Sequence, residues 1–263
     1  MTLEELQAGQ VICLDKPYQW TSFQAVNKVK AYIRHTYDLK KFKIGHAGTL
    51  DPLATGLLLV CIGKATKTIP KLQDGEKVYT GTMVLGATTP CYDLEREVDH
   101  LYPFEHITPE LIMETRDQFL GDIQQVPPMF SAVKIDGQRA YEYARTDDPT
   151  VTIQPKTVTI HEFEITDIRI TPGAKVTLPE TAAPTPNGAT RLYDNPQGRI
   201  PQGLPQIDFR IRCGKGTYIR SLARDLGLAL GSGAFLSALR REQVGSYQIS
   251  QAYTIDEIHN FFE

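Results

Sequence analysis

The residues best suited to chemistry lie in one glycine-punctuated stretch, Gly45-His46-Ala47-Gly48-Thr49-Leu50-Asp51-Pro52. Its glycines allow a tight or left-handed backbone, and Pro52 fixes φ directly after Asp51. An aspartate held on such a loop is poised more like a reagent than like a solvated surface charge. The same residues also read as an Asp-Pro turn followed by a helix cap. The stretch is not a phosphate-binding Walker loop, because no Gly-Lys-Ser/Thr follows at the required spacing, and Gly63-Lys64-Ala65 only approximates one.

Two further segments carry candidate groups. Gly214-Lys215-Gly216-Thr217-Tyr218-Ile219-Arg220 joins a strand to a helix. Backbone N–H groups there can hold phosphate, or Arg220 can pair with a carboxylate such as Asp51 and keep it ionised and oriented. A plain glycine turn with a surface arginine is the alternative. In Lys77-Val78-Tyr79-Thr80-Gly81, the tyrosine reads either as core packing or as a platform for an exposed base. The four cysteines, at 13, 61, 91 and 213, form no CxxC, and the six histidines form no HExxH. The cysteines therefore read as small buried residues, and no protein-bound catalytic metal is expected.

The elements that must position these groups follow from periodicity. Val11 to Leu14 reads as a strand running into a Lys16-Pro17 turn. Thr21 or Ser22 caps a helix whose apolar residues Phe23, Val26, Val29 and Ile33 recur at helical spacing. The run Leu57 to Ile62 has the length of a buried strand. Residues 64–72 suggest a short helix, and 76–86 and 155–171 suggest strands. Thr108-Pro109-Glu110 opens a helix. Phe130 to Ile135 reads as a strand closed by an Asp136-Gly137 turn, with a short helix near 139–145. Residues 172–205 hold seven of the seventeen prolines, and read as a long excursion joining two paired strands. Ile207, Phe209, Ile211 and Cys213 alternate with Asp208, Arg210 and Arg212, which predicts one buried face and one wet, basic face. Helix 217–230 sets Leu222, Leu226 and Leu230 on one side and Arg220 and Arg224 on another. A strand follows over about 235–247, and Thr254 caps a last amphipathic helix. Strands and helices interleave without regular βα alternation. The expected class is α+β, with a mixed, mostly antiparallel central sheet flanked by helices.

A chain of 263 residues with 41% hydrophobic and 22% charged residues is ordinary for a globular protein with a substantial core. No apolar run approaches the roughly 20 residues that span a bilayer, and the N-terminus has no signal character, so a cytoplasmic location is expected. The net charge of −3 argues weakly against a nucleic-acid partner, but the charges are segregated. Residues 16–71 hold ten Lys and Arg against two acids, whereas 91–125 hold nine acids against two arginines. These patterns imply either one basic face or scattered solvated charges.

Together, GHAGTLDPLATGLL, KVYTG, VPPMFSAVKIDGQRAYEYAR, RCGKGTYIRSLARDLG and the later LRR resemble the TruB family of tRNA pseudouridine synthases, in the family's order, from about residue 11 to 250. The resemblance implies an intramolecular isomerase that converts uridine 55 in the T arm of tRNA to pseudouridine, with no cofactor and no metal. It implies that Asp51 is the catalytic aspartate and that His46 helps hold the T loop open around the flipped nucleotide. Tyr79 stacks on the target base, and Tyr218, Arg220 and Leu239 are further substrate-contacting residues. The implied partner is the tRNA T stem-loop, with a monomer and no obligate protein partner. Two departures stand out. The family opening KPxGxTS reads Lys16-Pro17-Tyr18-Gln19-Trp20-Thr21-Ser22, with Gln19 in the glycine position. The chain reads as a single catalytic domain over 1–263, without the C-terminal RNA-binding PUA domain of many relatives. An RNA-binding protein that keeps the fold without turnover is the competing reading, against which the presence of Asp51, Tyr79 and Arg220 speaks.

Overall fold

The computed structural model describes residues 1–131, 134–135, 138–143, 153–178 and 196–263. In chain order the elements begin with α1 (Leu3–Ala8), β1 (Gln10–Lys16), α2 (Ser22–Tyr37), β2 (Ile44–Ala47) and β3 (Thr55–Ile62). A 3₁₀ turn leads into α3 (Ile69–Asp74), β4 (Lys77–Leu85), β5 (Ala87–Thr88), β6 (His100–Leu101), α4 (Pro109–Asp117) and β7 (Gly121–Gln125). Then come β8 (Lys134–Ile135), β9 (Gln138–Arg139), α5 (Ala140–Tyr143), β10 (Lys156–Arg169), β11 (Gln206–Cys213), α6 (Ile219–Ala229), β12 (Ala234–Val244) and β13 (Tyr247–Gln248). Two compact units result, Met1–Thr80 with Leu239–Glu263, and Gly81–Ala238. Strands β4 and β12 contribute a segment to each.

In the first unit the strand order is β1-β3-β12-β4, with β2 beside β3 and β13 beside β12. β1 runs antiparallel to β3 from Gln10↔Ile62 to Lys16↔Gly56, whereas β12 meets β3 in parallel at Arg240↔Thr55 and Arg241↔Gly56. β3 is buried on both faces from Leu57 to Ile62, as its unbroken apolar run requires. Helix α2 starts at a capping box in which Thr21 and Gln24 exchange hydrogen bonds, and it buries Ala25, Val26, Val29 and Ile33. This settles Thr21 as the cap. Phe23, expected on the apolar face, is instead 70% exposed.

In the second unit the order is β12-β4-β11-β10-β7. β11 alternates as expected, with Ile207, Phe209, Ile211 and Cys213 buried and Phe163 of β10 edge-on to Phe209 at 6.4 Å. Its outer face is not basic, however. Glu162 of β10 pairs with both Arg210 and Arg212 at 2.9 Å, and Arg169 grips Asp208 with bonds of 2.6 and 2.7 Å. Cross-strand pairing has neutralised the face. β10 and β11 are antiparallel neighbours, so the proline-rich excursion does join paired strands, and its ends meet again at Thr177 and Gln202. Residues 179–195 of that excursion, and the expected Asp136-Gly137 turn, lie outside the described residues.

Several expectations need correction. His46 lies on strand β2 rather than in a loop, because residues 44–47 pair with β3. Phe130 and Ser131 are irregular, and β8 begins only at Lys134. Thr254 and Glu257 close a capped turn, but a 3₁₀ turn at Ile258–Phe261 replaces the last helix. Helix α1, unmarked by apolar periodicity, is carried by the reciprocal Thr2–Glu5 box. Strand β7 was also not expected, since its sequence Gly-Asp-Ile-Gln-Gln lacks β-formers.

At Gly56 the backbone has φ +101°, and a Cβ would stand 2.3 Å from the Arg241 carbonyl oxygen. Gly56→Ala should therefore lose about 3 kcal/mol or more in chemical denaturation, because both the strained φ and the β3–β12 contact resist it.

Candidate active site

Asp51 lies in the connection from β2 to β3 and is half-buried. A turn closes behind it, the Ala54 N–H donating to the Asp51 carbonyl at 3.1 Å. Three buried side chains fix this connection on both sides of the carboxylate.

Ser22, 3% exposed at the first turn of α2, accepts from the Leu50 N–H at 2.9 Å and donates to the Leu50 carbonyl at 3.1 Å. Lys16, at the end of β1, is fully buried. Its ammonium donates to the carbonyls of Trp20 at 2.6 Å, Pro17 at 3.0 Å and Pro52 at 3.2 Å. Those three acceptors use the full donor capacity of an ammonium. Arg241 of β12, 1% exposed, donates from Nε to the Leu57 carbonyl at 2.8 Å and from Nη2 to the Gly48 carbonyl at 3.0 Å. The chain is thus gripped at Gly48, Leu50, Pro52 and Leu57, with Asp51 between the grips.

The electrostatics follow from this burial. Desolvation pushes the Lys16 ammonium down to about 8; the carboxylates of Asp51 and Asp15 act against that push, and the Arg241 cation adds to it. His46 of β2 is half-buried, and its Nδ1 is enclosed with no hydrogen-bond partner among the described residues. Burial and the nearby Arg241 hold its imidazole below the ordinary histidine range, against an opposing contribution from the Gly48 backbone. The ring is therefore neutral at neutral pH. Arg240, one residue from Arg241 and on the other side of β12, clasps Asp15 through two bonds of 2.7 and 3.1 Å. Leu239 precedes it and is half-buried. Tyr79 of β4 is 9% exposed.

The first unit thus contains Asp51, His46, Tyr79 and Leu239. Tyr218 and Arg220 belong to the second. There the buried side chain of Gln125 brackets Tyr218, its Oε1 accepting from the Tyr218 N–H at 2.8 Å and its Nε2 donating to the Tyr218 carbonyl at 3.1 Å. An amide of the protein thus engages the Tyr218 N–H at the helix start read as a phosphate seat. Arg220 is 5% exposed, so it is not the surface arginine of the alternative reading. Its guanidinium donates to the carbonyls of Phe130 at 2.8 Å and Cys91 at 3.2 Å, with Asp93 at 3.6 Å.

Lys16, Ser22 and Arg241 escaped the sequence reading as site residues. Lys16 was counted among surface cations, although the strand period of β1 places it on the same face as the buried Ile12 and Leu14. Of two adjacent arginines on a strand buried on one side, one has to point inward, and that is Arg241. Gln19 adopts φ +64°, so the family's glycine position does require left-handed backbone here, and Lys16 binds the carbonyls on both sides of that turn.

The TruB family pseudouridylate synthase N-terminal domain matches residues 34–180, and the tRNA pseudouridylate synthase B C-terminal domain matches residues 220–263. A tRNA pseudouridine synthase B of Flavobacterium johnsoniae is 51% identical across 97% of this chain and 96% of its own. The chain belongs to the TruB family. A second tRNA pseudouridine synthase B, from Phocaeicola vulgatus, is 42% identical across 97% of this chain and 94% of its own. Among solved structures, a Cbf5–Nop10–Gar1 complex aligns with a TM-score of 0.63 and 27% identity over all of this chain and 57% of that one. An H/ACA RNP bound to a substrate RNA containing 2'-deoxyuridine, 24% identical with a TM-score of 0.60, shares the fold and is likewise covered over 56% of its length. This TruB chain thus spans just over half the length of those solved chains.

Two outcomes test the clamp. Lys16→Met strands three carbonyls and should cost about 2–4 kcal/mol at neutral pH. Because the Lys16 pKa falls from 10.5 to about 8 on folding, the unfolded chain holds a proton that the fold releases between those values. Stability from this group therefore rises with pH there. The gap between wild type and Lys16→Met should widen from pH 8 towards 10.5 in urea titrations. Arg241→Met should cost about 3 kcal/mol by stranding the Gly48 and Leu57 carbonyls.

Proposed function

We propose that this TruB chain converts uridine 55 in the T arm of tRNA to pseudouridine, with Asp51 as its catalytic residue and no cofactor or metal. The observation that carries the reading is the fixed Asp51 connection in a chain of this family, 51% identical to a tRNA pseudouridine synthase B. In the reaction the N1–C1' bond of the uridine breaks and the uracil rotates. A C5–C1' bond then forms, while the C5 hydrogen is given up and N1 gains a proton. Nothing is added or removed, so no second substrate is needed.

The chemistry asks three things of the protein. The target uridine must leave its folded loop, at a cost of a few kcal/mol. We assign Tyr79 to stack on it, which returns about 1–3 kcal/mol, and His46 to hold the opened loop as a neutral ring. A carboxylate must meet the reacting carbons in one orientation. The grips at Leu50 and Pro52 support that role for Asp51, because a reagent held within a fraction of an ångström avoids the entropy of a searching side chain. Water must be kept from the broken glycosidic bond, for which the half-buried Leu239 is suited. Tyr218 and Arg220 complete the assignment as substrate-contacting residues. No helix among the described residues is long and apolar enough to cross a membrane, and the reading includes a cytoplasmic monomer.

The test is unmodified tRNA transcript incubated with purified protein, with pseudouridine mapped by nucleotide. Product is expected at position 55. Asp51→Asn should lower turnover on the order of 1,000-fold or more while tRNA affinity stays within a few-fold. Product elsewhere, or appreciable turnover by Asp51→Asn, would overturn the assignment. Tyr79→Ala should lose turnover as well, and a wild-type rate would remove the stacking role.

A further inference from the structure

Helix α2 carries an exposed stripe that none of the residues assigned above uses. Phe23, Asn27, Lys30 and Arg34 follow one another at intervals of four, three and four, and so share one side of the helix. Phe23 is 70% exposed. Asn27 and Arg34 are exposed, and Lys30 is half-exposed. From Phe23 to Arg34 the stripe runs about 16 Å along the axis. The helix contains no acidic residue.

The stripe ends at both extremes in something informative. Phe23 follows Ser22, whose hydroxyl is bonded to the backbone N–H and carbonyl of Leu50, the neighbour of Asp51. The aromatic ring is therefore carried by the turn of helix that anchors the Asp51 connection. At the other end, Arg34 donates to the Lys40 carbonyl at 3.3 Å, which ties the stripe to the loop carrying the exposed Lys40, Lys41 and Lys43. A single exposed aromatic needs no explanation on its own, but one at the start of a line of cations has the makeup of a single-strand RNA track, with one stacking platform and several phosphate contacts.

We infer that the outer face of α2 is an RNA-docking surface on which Phe23 stacks on an unpaired base of the substrate RNA while Lys30 and Arg34 contact its phosphates. This places a positioning role on residues outside those assigned to the reaction. The inference rests on the tRNA reading above, and it deepens that reading by naming a second contact surface. A protein partner on the same face is the competing occupant. The net charge of −3 for the whole chain against an acid-free helix favours a polyanion.

The experiment measures binding of a fluorescent T-arm hairpin and of whole tRNA transcript across a salt series, together with single-turnover rates at saturating RNA. Phe23→Ala should weaken hairpin affinity by about five- to 100-fold and raise KM in step, with the saturated rate unchanged. Phe23→Trp should restore affinity, which loss of fold would not allow. The Lys30→Gln/Arg34→Gln double variant should flatten the plot of log affinity against log salt by about 1.5. Phe23 and Arg34 are exposed and Lys30 is half-exposed, and unaltered melting curves would confirm that the fold is kept. Wild-type affinity in Phe23→Ala together with an unchanged salt slope in the double variant would overturn the inference and leave the face to a protein partner. Affinity is read separately from turnover, so a wild-type protein that binds the hairpin but makes no pseudouridine would sink the proposed function while the affinity series still decides the docking surface.

Discussion

The structure around Asp51 depends on burying two cations, Lys16 and Arg241, against backbone carbonyls. Lys16 and Arg241 are among the largest fully buried side chains, and a charge in an apolar interior costs several kcal/mol unless its donors are filled. Here backbone carbonyls fill the donors of the Lys16 ammonium and take two donors of the Arg241 fork. Lys16 takes three, and Arg241 takes Gly48 and Leu57. The carbonyls a cation can collect belong to turns and strand ends, where the chain has no regular partner. The cost of the charge thus becomes a restraint on the irregular backbone, and in this protein that backbone is the one carrying Asp51.

Several features of the first unit follow from that restraint. Gly56 lies opposite Arg241 in the β3–β12 ladder and has no room for a Cβ, so the arginine's backbone can approach closely enough for its side chain to turn back to Leu57 and Gly48. The left-handed Gln19 sits in the turn whose carbonyls Lys16 collects. A non-glycine residue there costs about 1–2 kcal/mol, and the buried ammonium offsets that by holding the turn shut. Burial holds the His46 imidazole below the ordinary histidine range and the same Arg241 charge adds to it, so the cation that orders the loop also acts on the histidine next to it.

Most of the architecture was legible in the sequence because it is written in short periods. The alternation over 207–213, the apolar run over 57–62 and the Thr21 box each produced the expected element. What failed were inferences about where charge ends up. Arg210 and Arg212 read as a basic face, but their cross-strand partner Glu162 lies about fifty residues earlier in a strand whose register no local pattern reveals. Arg220 read either as the partner of a carboxylate such as Asp51 or as a surface arginine, yet it is buried against Cys91 and Phe130, because the acceptors that make its burial tolerable come from distant loops. The string around Asp51 was found through its glycines and its family resemblance. Its three anchors were missed because each is a partner fixed by tertiary structure.

That contrast also separates two kinds of positive charge in this chain. Cations that find carbonyls or carboxylates, such as Lys16, Arg241 and Arg210, are spent on the fold and contribute little field to solvent. Those with exposed side chains include Lys28 and Arg34 of α2, Lys40, Lys41 and Lys43 in the loop after it, and Lys64, Lys67 and Lys71 further along the chain. A count of basic residues over 16–71 mixes the two kinds and locates neither. Sorting them by burial separates the cations open to a polyanion from the restraints held in the interior around Asp51. The first can change with the RNA that is bound, while the second has to be retained for Asp51 to keep its place.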